Sequence, residues 1–414
     1  MRGVIWLVVL FVVAVVAATT LGTNDGLVTV YFNRWRLELS LNLFVLLVVG
    51  VCFVILTASR TLEAVFSLPR RAREWRALQR ERAAYRALRD ALAEFFAARY
   101  SRAYKAAERA LALQDDTEFL SPDLDFRLLA NLLVASSLHR LQDPSRRDEV
   151  ARRLQALASS AGPRPAADGA RLMAAEWALD DRDASRALEL LAQLPPGLSR
   201  RTQALRLKLQ ATRLAKQPSD ALQTARLLAK HQAFSEVAAK SLLRTLAIQV
   251  LDSARDLDQL RRQWSELEAS DRRDAAVAAR AAQRASALGA HEDARQWLRP
   301  LWDRLADLSP EDRMQVASAL CDCIPGIGPD WLPKVESAMT TYASDPVVEV
   351  AAAMVMAERG LWGKARRPLE HAGNSPVLEP RLRRRAWREL ARLSRQEGQM
   401  ELAARCDQRA AEIA

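Results

Sequence analysis

Four histidines and four cysteines are the whole supply of imidazole bases and soft ligands in this 414-residue chain. Acid–base, nucleophilic or metal chemistry needs such groups to converge on one point. Cys321-Asp322-Cys323 places a single residue between its thiols, whereas zinc knuckles use two to four, and no second pair follows. Both are expected as buried helix residues beside a loop. Cys52 lies in an apolar run, and Cys406 stands near the end of the chain. His139, His231, His291 and His371 each fall near the end of an expected helix or in a turn. The helix dipole favours a charged imidazole at a C-terminus, which suffices to explain His139. Each of the four can also offer a ring nitrogen to a haem iron, so all four are candidate haem ligands. No Cys-x-x-Cys-His motif is present for covalent attachment.

Other reaction signatures are missing as well. Gly326-x-Gly328 runs into Pro329, lacks a third glycine and follows no strand, so it reads as a linker between helices. No P-loop, nucleophile elbow or His-Glu-x-x-His occurs. The expectation is a protein with no catalytic residues and no metal site. Haem is the one cofactor left open.

The elements that would carry these residues follow from composition. Gly is scarce (14), aromatics make up 6% and Ala, Leu and Arg dominate, which predicts helices almost throughout. From about residue 91, small residues recur where two helices must cross closely: Ala103 and Ala110, Ala365 and Ala372, Ala403 and Ala410. Looser copies fall at Ala187 with Leu194, Ala221 with Leu228, and Ala294 with Leu301. From Ala187 to Ala221 is 34 residues, the tetratricopeptide period, and from Ala365 to Ala403 is 38. Breakers such as Asp143-Pro144, Pro195-Pro196-Gly197, Pro218, Asp345-Pro346 and Ser375-Pro376 fit the gaps. Residues 230 to 290 depart most from this spacing.

Two uncharged apolar runs precede the repeats, at about 4–21 and 41–57. At ~1.5 Å per residue, ~18 residues span ~27 Å, close to a hydrocarbon layer. Together they predict a transmembrane hairpin over 1–59. Its outer loop, 22–40, carries alternating Val28, Val30, Phe32 and Trp35, Leu37, Leu39, the pattern of a small β-hairpin. Small residues Ala14, Ala17 and Ala18 would suit signal cleavage, but the first apolar core is long for a signal region.

Between Arg60 and Asp90 stand nine arginines against Glu63, Glu74, Glu81 and Asp90, and the chain's net charge is +11. The positive-inside rule therefore puts the C-terminal body in the cytoplasm. Residues 60–97 read as a basic connecting helix, with Arg70, Arg71, Arg73 and Arg76 set to meet anionic headgroups and its apolar stripe (Trp75, Leu78, Tyr85, Leu88, Leu92, Phe96) against the first repeat. Membrane lipid is the expected partner, and nucleic acid is not, because aromatic interleaving is sparse.

Residues 98–414 then form the solenoid body. The combination of two spans, the Trp35–Ser40 stretch, Leu68-Pro69-Arg70-Arg71 and helical repeats resembles the proteobacterial HemY family. Leu361, Trp362, Gly363, Lys364, Ala365 and Arg366 are similar to that family's C-terminal repeat signature. The resemblance implies a bacterial inner-membrane protein tied to haem and porphyrin biosynthesis, usually encoded beside uroporphyrinogen-III synthase, with no catalytic residues to carry over. A flavin-dependent protoporphyrinogen oxidase shares the HemY name, but its glycine-rich flavin fingerprint is absent here. The expected fold is thus all-α, a transmembrane hairpin followed by a tetratricopeptide-type α-solenoid. Its expected role is a scaffold binding haem-pathway enzymes, or alternatively a carrier that receives and passes on haem.

Overall fold

The computed structural model describes residues 26–32, 35–115, 123–160, 162, 164–343 and 345–413, without the side chains of Phe32, Arg60 and residues 62–74. The first expected span, 4–21, lies outside the described residues, as do Asn33 and Arg34 at the hairpin tip. The expected β-hairpin is present. β1 (Leu27–Phe32) pairs antiparallel with β2 (Trp35–Ser40), in a register that sets Val30 against Leu37 and Phe32 against Trp35.

Ser40 ends β2 and caps the next helix, its Oγ accepting from the Leu43 N–H at 3.4 Å. That helix, α1 (Leu41–Phe96), is 56 residues long and passes through Pro69 without ending. Its first part, Leu41–Ser59, has a mean hydropathy of 2.8, and none of it is buried within the chain. This is one helix long and apolar enough to cross a membrane, with every backbone group from the second turn on satisfied internally. The apolar and arginine-rich segments are therefore a single element.

The rest of the chain is a succession of helix pairs. Contacts divide it into two compact units between Leu157 and Ala158. The first holds α1, α2 (Tyr100–Asp115), α3 (Leu124–Arg140) and most of α4 (Pro144–Ser160). Here α2 packs on both α1 and α3. Ala84, Ala87, Leu88 and Ala91 bury one face of α1, but Trp75, Leu78, Leu92 and Phe96 stay exposed. The stripe expected to pack on the first repeat thus contributes only Leu88 fully. The small residues beside it make the closer contact.

The second unit continues with α5 (Pro165–Asp180), α6 (Ala184–Ala192), the single turn α7 (Pro196–Ser199), α8 (Thr202–Leu214), α9 (Pro218–Lys230), α10 (Glu236–Asp252), α11 (Leu257–Glu266), the single turn α12 (Ala269–Arg272), α13 (Ala275–Ala287) and α14 (His291–Trp302). It ends with α15 (Pro310–Asp322), α16 (Leu332–Thr341), α17 (Pro346–Glu358), α18 (Trp362–Asn374), α19 (Pro380–Gln396) and α20 (Met400–Glu412). Leading helices α5, α8, α10, α13, α15, α17 and α19 begin 34 to 39 residues apart. From α10 to α19 each leading helix packs on the next, and all of them except α15 pack on their trailing partners as well. That two-way contact joins hairpins into a stack with one continuous core from Leu205 to Ala410.

Local chemistry explains where the helices begin. Pro144, Pro165, Pro218, Pro310, Pro346 and Pro380 each open a helix, where a missing N–H costs nothing. Asp123, Asp183, Asp256, Asp274, Ser309 and Asp345 accept from first-turn N–H groups that would otherwise be orphaned.

Candidate functional site

The geometry of each hairpin is set at its turn. Seven turns carry a left-handed residue two positions before the trailing helix: Ala98, Gln142, Arg182, Lys216, Gly289, Gly360 and Gly398. In each, the next N–H donates to a carbonyl five residues back, at 2.8–3.1 Å, as in Leu361 to Met356 and Asp183 to Ala178. This closure satisfies the end of the leading helix with backbone alone. It also sets the register of the trailing helix. The fourth residue of that helix faces the leading one at the crossing, and Ala103, Ala187, Ala221, Ala294, Ala365 and Ala403 are all buried there. Ala110, Ala372 and Ala410, seven residues on, are buried too.

Leu361 to Arg366 occupies one such turn and crossing. Gly360 adopts φ 77°, Ala365 is fully buried, Lys364 Nζ reaches Glu336 Oε1 on α16 at 2.8 Å, and Arg366 pairs with Glu397 at the end of α19. The segment therefore ties its hairpin to the neighbours on both sides.

Two connections lack the short turn. In the first, Ser253–Asp256 joins α10 to α11, and Leu260 fills the crossing position. In the second, Cys323–Trp331 joins α15 to α16, with Val335 at the crossing. Arg295 on α14, itself only 4% exposed, donates to the carbonyls of Cys323 (2.6 Å), Pro325 (2.8 Å) and Gly326 (3.3 Å). From the other side, Glu358 accepts the Gly326 N–H at 3.3 Å. Neither residue carries a sequence signal, since an arginine in so basic a chain is unremarked. Gly373 is similar: a Cβ there would stand 2.6 Å from the Trp387 ring, whose Nε1 donates to the Gly373 carbonyl at 3.0 Å.

The histidines do not converge. His139 Nδ1 lies 3.0 Å from Arg147 Nη1, His291 Nδ1 lies 2.9 Å from Ser286 Oγ, His371 Nδ1 lies 2.8 Å from Glu349 Oε2, and His231 is exposed. Cys321 and Cys323 are fully buried, and burial pushes both thiols up to about 12, which leaves them protonated and unreactive. Among the described residues no group of three or more His, Cys, Asp or Glu could hold a metal ion. A pocket between α18, α19 and α20 is lined by Arg366, Trp387, Arg405, Cys406 and Arg409, with none of the four histidines in its wall. Of the headgroup-facing arginines, Arg76 is exposed, and the side chains of Arg70, Arg71 and Arg73 lie outside the described residues.

The leading helices differ in access. α17 is buried from Val350 to Ala357, enclosed by α15, α16, α18 and α19. Arg381 and Arg385 of α19 reach past it to Asp322 of α15, at 2.7 and 2.6 Å. By contrast α8 leaves Gln203, Arg206, Gln210 and Arg213 exposed along one stripe, and α10 leaves Val237, Lys240, Ser241 and Thr245 exposed. The leading layer is thus open to solvent over α8 and α10.

Comparisons with known proteins add one firm result. No curated protein matches the chain. A solved structure, "Structure of Naa15/Naa10 bound to HypK-THB", aligns over 76% of this chain and 56% of its own at 14% identity, with a TM-score of 0.25, too low to support any argument. This chain spans little more than half of that one. Residues 26–142 match the family described as HemY protein N-terminus, a region running from β1 through the α3 turn. That region, which holds the hairpin, the bilayer-length helix and the first helix pair, is the part of the chain that is similar to the HemY family.

Proposed function

We propose that the protein is a non-catalytic, membrane-tethered scaffold of haem biosynthesis. In this reading the N-terminal region makes two membrane crossings in a bacterial inner membrane. The arginine-rich continuation of α1 keeps the body cytoplasmic, and the body is a tetratricopeptide-type solenoid that holds enzymes of the haem pathway. The observation that carries the reading is the presence in one chain of an unburied apolar helix of 19 residues and a hairpin stack with a continuous core. Stacked hairpins offer long surfaces to other proteins, and tethering raises the effective concentration of enzymes that exchange an apolar intermediate. The open stripes of α8 and α10 are the partner surface in this proposal, because α17 is enclosed.

The test is photo-crosslinking in intact membranes from Gln210 and Lys240, with Ala351 as the buried control. Adducts with tetrapyrrole enzymes at the first two positions are expected. Their absence at both, in mild detergent as well as in membranes, would remove the scaffold. Accessibility of an engineered cysteine at Arg213 to an impermeant reagent, only after the inner membrane is opened, reads the orientation separately.

A second reading, a haem carrier, is favoured by one geometry. His371 points Nδ1 at a carboxylate and leaves Nε2 exposed, the orientation of a ligating imidazole. Its surroundings fit haem poorly, since Glu349 stands beside it and no histidine lines the pocket between α18, α19 and α20. Titration of the protein with haem gives a Soret band lost in His371→Ala if the carrier reading holds; a band indifferent to His139, His231, His291 and His371 ends it.

A further inference from the structure

The exposed face of α1 beyond the apolar segment has a spacing of its own. Trp75, Leu78, Tyr85, Leu92 and Phe96 are 63%, 50%, 43%, 38% and 83% exposed. They fall at the first and fourth positions of a heptad that also takes in Arg82 and Arg89. The residues packed on α2, namely Ala84, Ala87, Leu88 and Ala91, lie on a different side of the helix, and of the stripe itself Tyr85 sits at the edge that meets α3, through Asp123 and Phe126. A large apolar stripe rimmed by charge marks an interface.

We propose that this stripe is covered by α1 of a second copy, in a parallel two-helix coiled coil along the membrane normal; the proposal rests on the membrane placement given above. Lipid is not the occupant, because Trp75 stands 16 residues past Ser59, about 24 Å further along a continuous helix at ~1.5 Å per residue. A second copy meets the stripe for a geometric reason. Two copies anchored by the same segment share orientation and depth, so their stripes are parallel and in register without further adjustment.

Charge agrees with that register. Glu81 holds the seventh heptad position and Arg86 the fifth position of the next heptad, the pair that forms bridges between parallel strands. Arg82, at a first position, can bury its stem and reach Glu81 of the second copy. Polar residues at the seam, here Arg82 and Arg89, favour one register at a cost in stability. The same heptad continues into the apolar segment as Leu43, Leu47, Gly50, Val54, Thr57 and Thr61. Gly50 and Thr57 are small, a Cβ at Gly50 would meet nothing within 4 Å, and both threonine hydroxyls are satisfied within the helix. That surface suits close approach of a second span.

The experiment is oxidative crosslinking of the full chain in native membranes, with Cys52→Ser as background. Leu78→Cys and Leu92→Cys should form disulfide-linked dimers at least tenfold faster than Arg76→Cys and Asp90→Cys, which face away from the seam. Glu81→Arg should slow the reaction several-fold, and adding Arg86→Glu should restore it. Equal rates at all four positions, no dimer at any of them, or an adduct to a protein of another mass would each overturn the proposal. Retention in the membrane after alkaline wash, alongside no dimer, defeats the coiled coil alone. Release into the soluble fraction defeats the membrane placement and the coiled coil together.

Discussion

The Gly360 turn and the Cys323–Trp331 loop make the same connection, leading helix to trailing helix, by opposite means. At Gly360 the backbone closes on itself: the Gly360 and Leu361 N–H groups donate to Ala357 and Met356. In the long loop the backbone has few partners of its own, and side chains arrive from elsewhere, Arg295 from the preceding hairpin and Glu358 from the following one. The first solution is indifferent to the side chains around it, so seven copies tolerate Ala, Gln, Arg, Lys or Gly at the left-handed position. The second joins three hairpins through side chains, Arg295 on one side and Glu358 on the other. Uniform turns therefore propagate the stack, and the irregular loop locks it.

The largest expected effect tests that lock. Arg295→Ala removes three hydrogen bonds to loop carbonyls and leaves the buried Cys323 carbonyl without its donor, so unfolding free energy should fall by about 3 kcal/mol or more. Urea unfolding of the detergent-solubilised protein, followed by far-ultraviolet circular dichroism, reads it. A change under about 1 kcal/mol would mean the loop holds itself. Glu292, the exposed ion-pair partner of Arg295, should matter far less when changed to Gln, because exposed pairs contribute little.

The crossing position separates the two regions from another side. Ala365→Trp should overpack a regular crossing by about 1–3 kcal/mol or more, and Ala103→Trp likewise. At the irregular hairpin α10/α11 the same position holds Leu260, so shortening is harmful there: Leu260→Ala should cost about 2–5 kcal/mol. If Ala365→Trp left thermal unfolding unmoved, the register assigned to the trailing helices would be wrong.

Legibility in the sequence followed the same division. The hairpins with glycine at the turn, at Gly289, Gly360 and Gly398, announce themselves, as do the prolines at helix starts. Ala98, Gln142, Arg182 and Lys216 adopt the same left-handed conformation with no glycine to mark it, because each turn is held by hydrogen bonds strong enough to offset the strain. Residues 230 to 290 look irregular because Leu260 replaces the small residue and no left-handed turn precedes α11. The pinning of Asp322 by Arg381 and Arg385 joins residues about sixty apart, and nothing in local pattern points to it. Alternation in residues 27–40 was readable because one turn sets the whole register. The apolar stripe of α1 was readable too, but its partner was not, since Ala84, Ala87 and Ala91 compete for α2 and win by allowing closer approach.

A smaller effect sharpens the claim that backbone alone closes the regular turns. Gly360→Ala adds a Cβ that meets no atom within 4 Å, so any loss, about 1 kcal/mol, comes from the left-handed conformation itself. Lys216→Gly should do the reverse and raise stability by up to about 1 kcal/mol, because a strained residue is relieved. Opposite signs at the two turns are the expected outcome in paired thermal melts; equal signs would mean that side-chain contacts, not backbone, decide these turns.

The smallest effect concerns a hinge between the two modes, where a side chain supports an otherwise regular helix start. Asp123 caps α3 through the N–H groups of Asp125 and Phe126, and also accepts the Tyr85 hydroxyl at 2.5 Å. That hydrogen bond, with burial and the carboxylate charge behind it, pushes the Tyr85 phenol up to about 12. Folding favours the protonated phenol, so its contribution is whole below pH ~10, the ordinary tyrosine value, and is lost as pH rises toward about 12. Tyr85→Phe should therefore cost no more than about 1 kcal/mol at neutral pH, given how exposed the ring is. The difference between the two proteins should shrink between pH 10 and 12, where wild type loses the hydrogen bond and the variant has none to lose. A gap that held constant to pH 12 would assign the effect to the edge-to-face contact of Tyr85 with Phe126, and so to packing, the means by which the regular crossings are held.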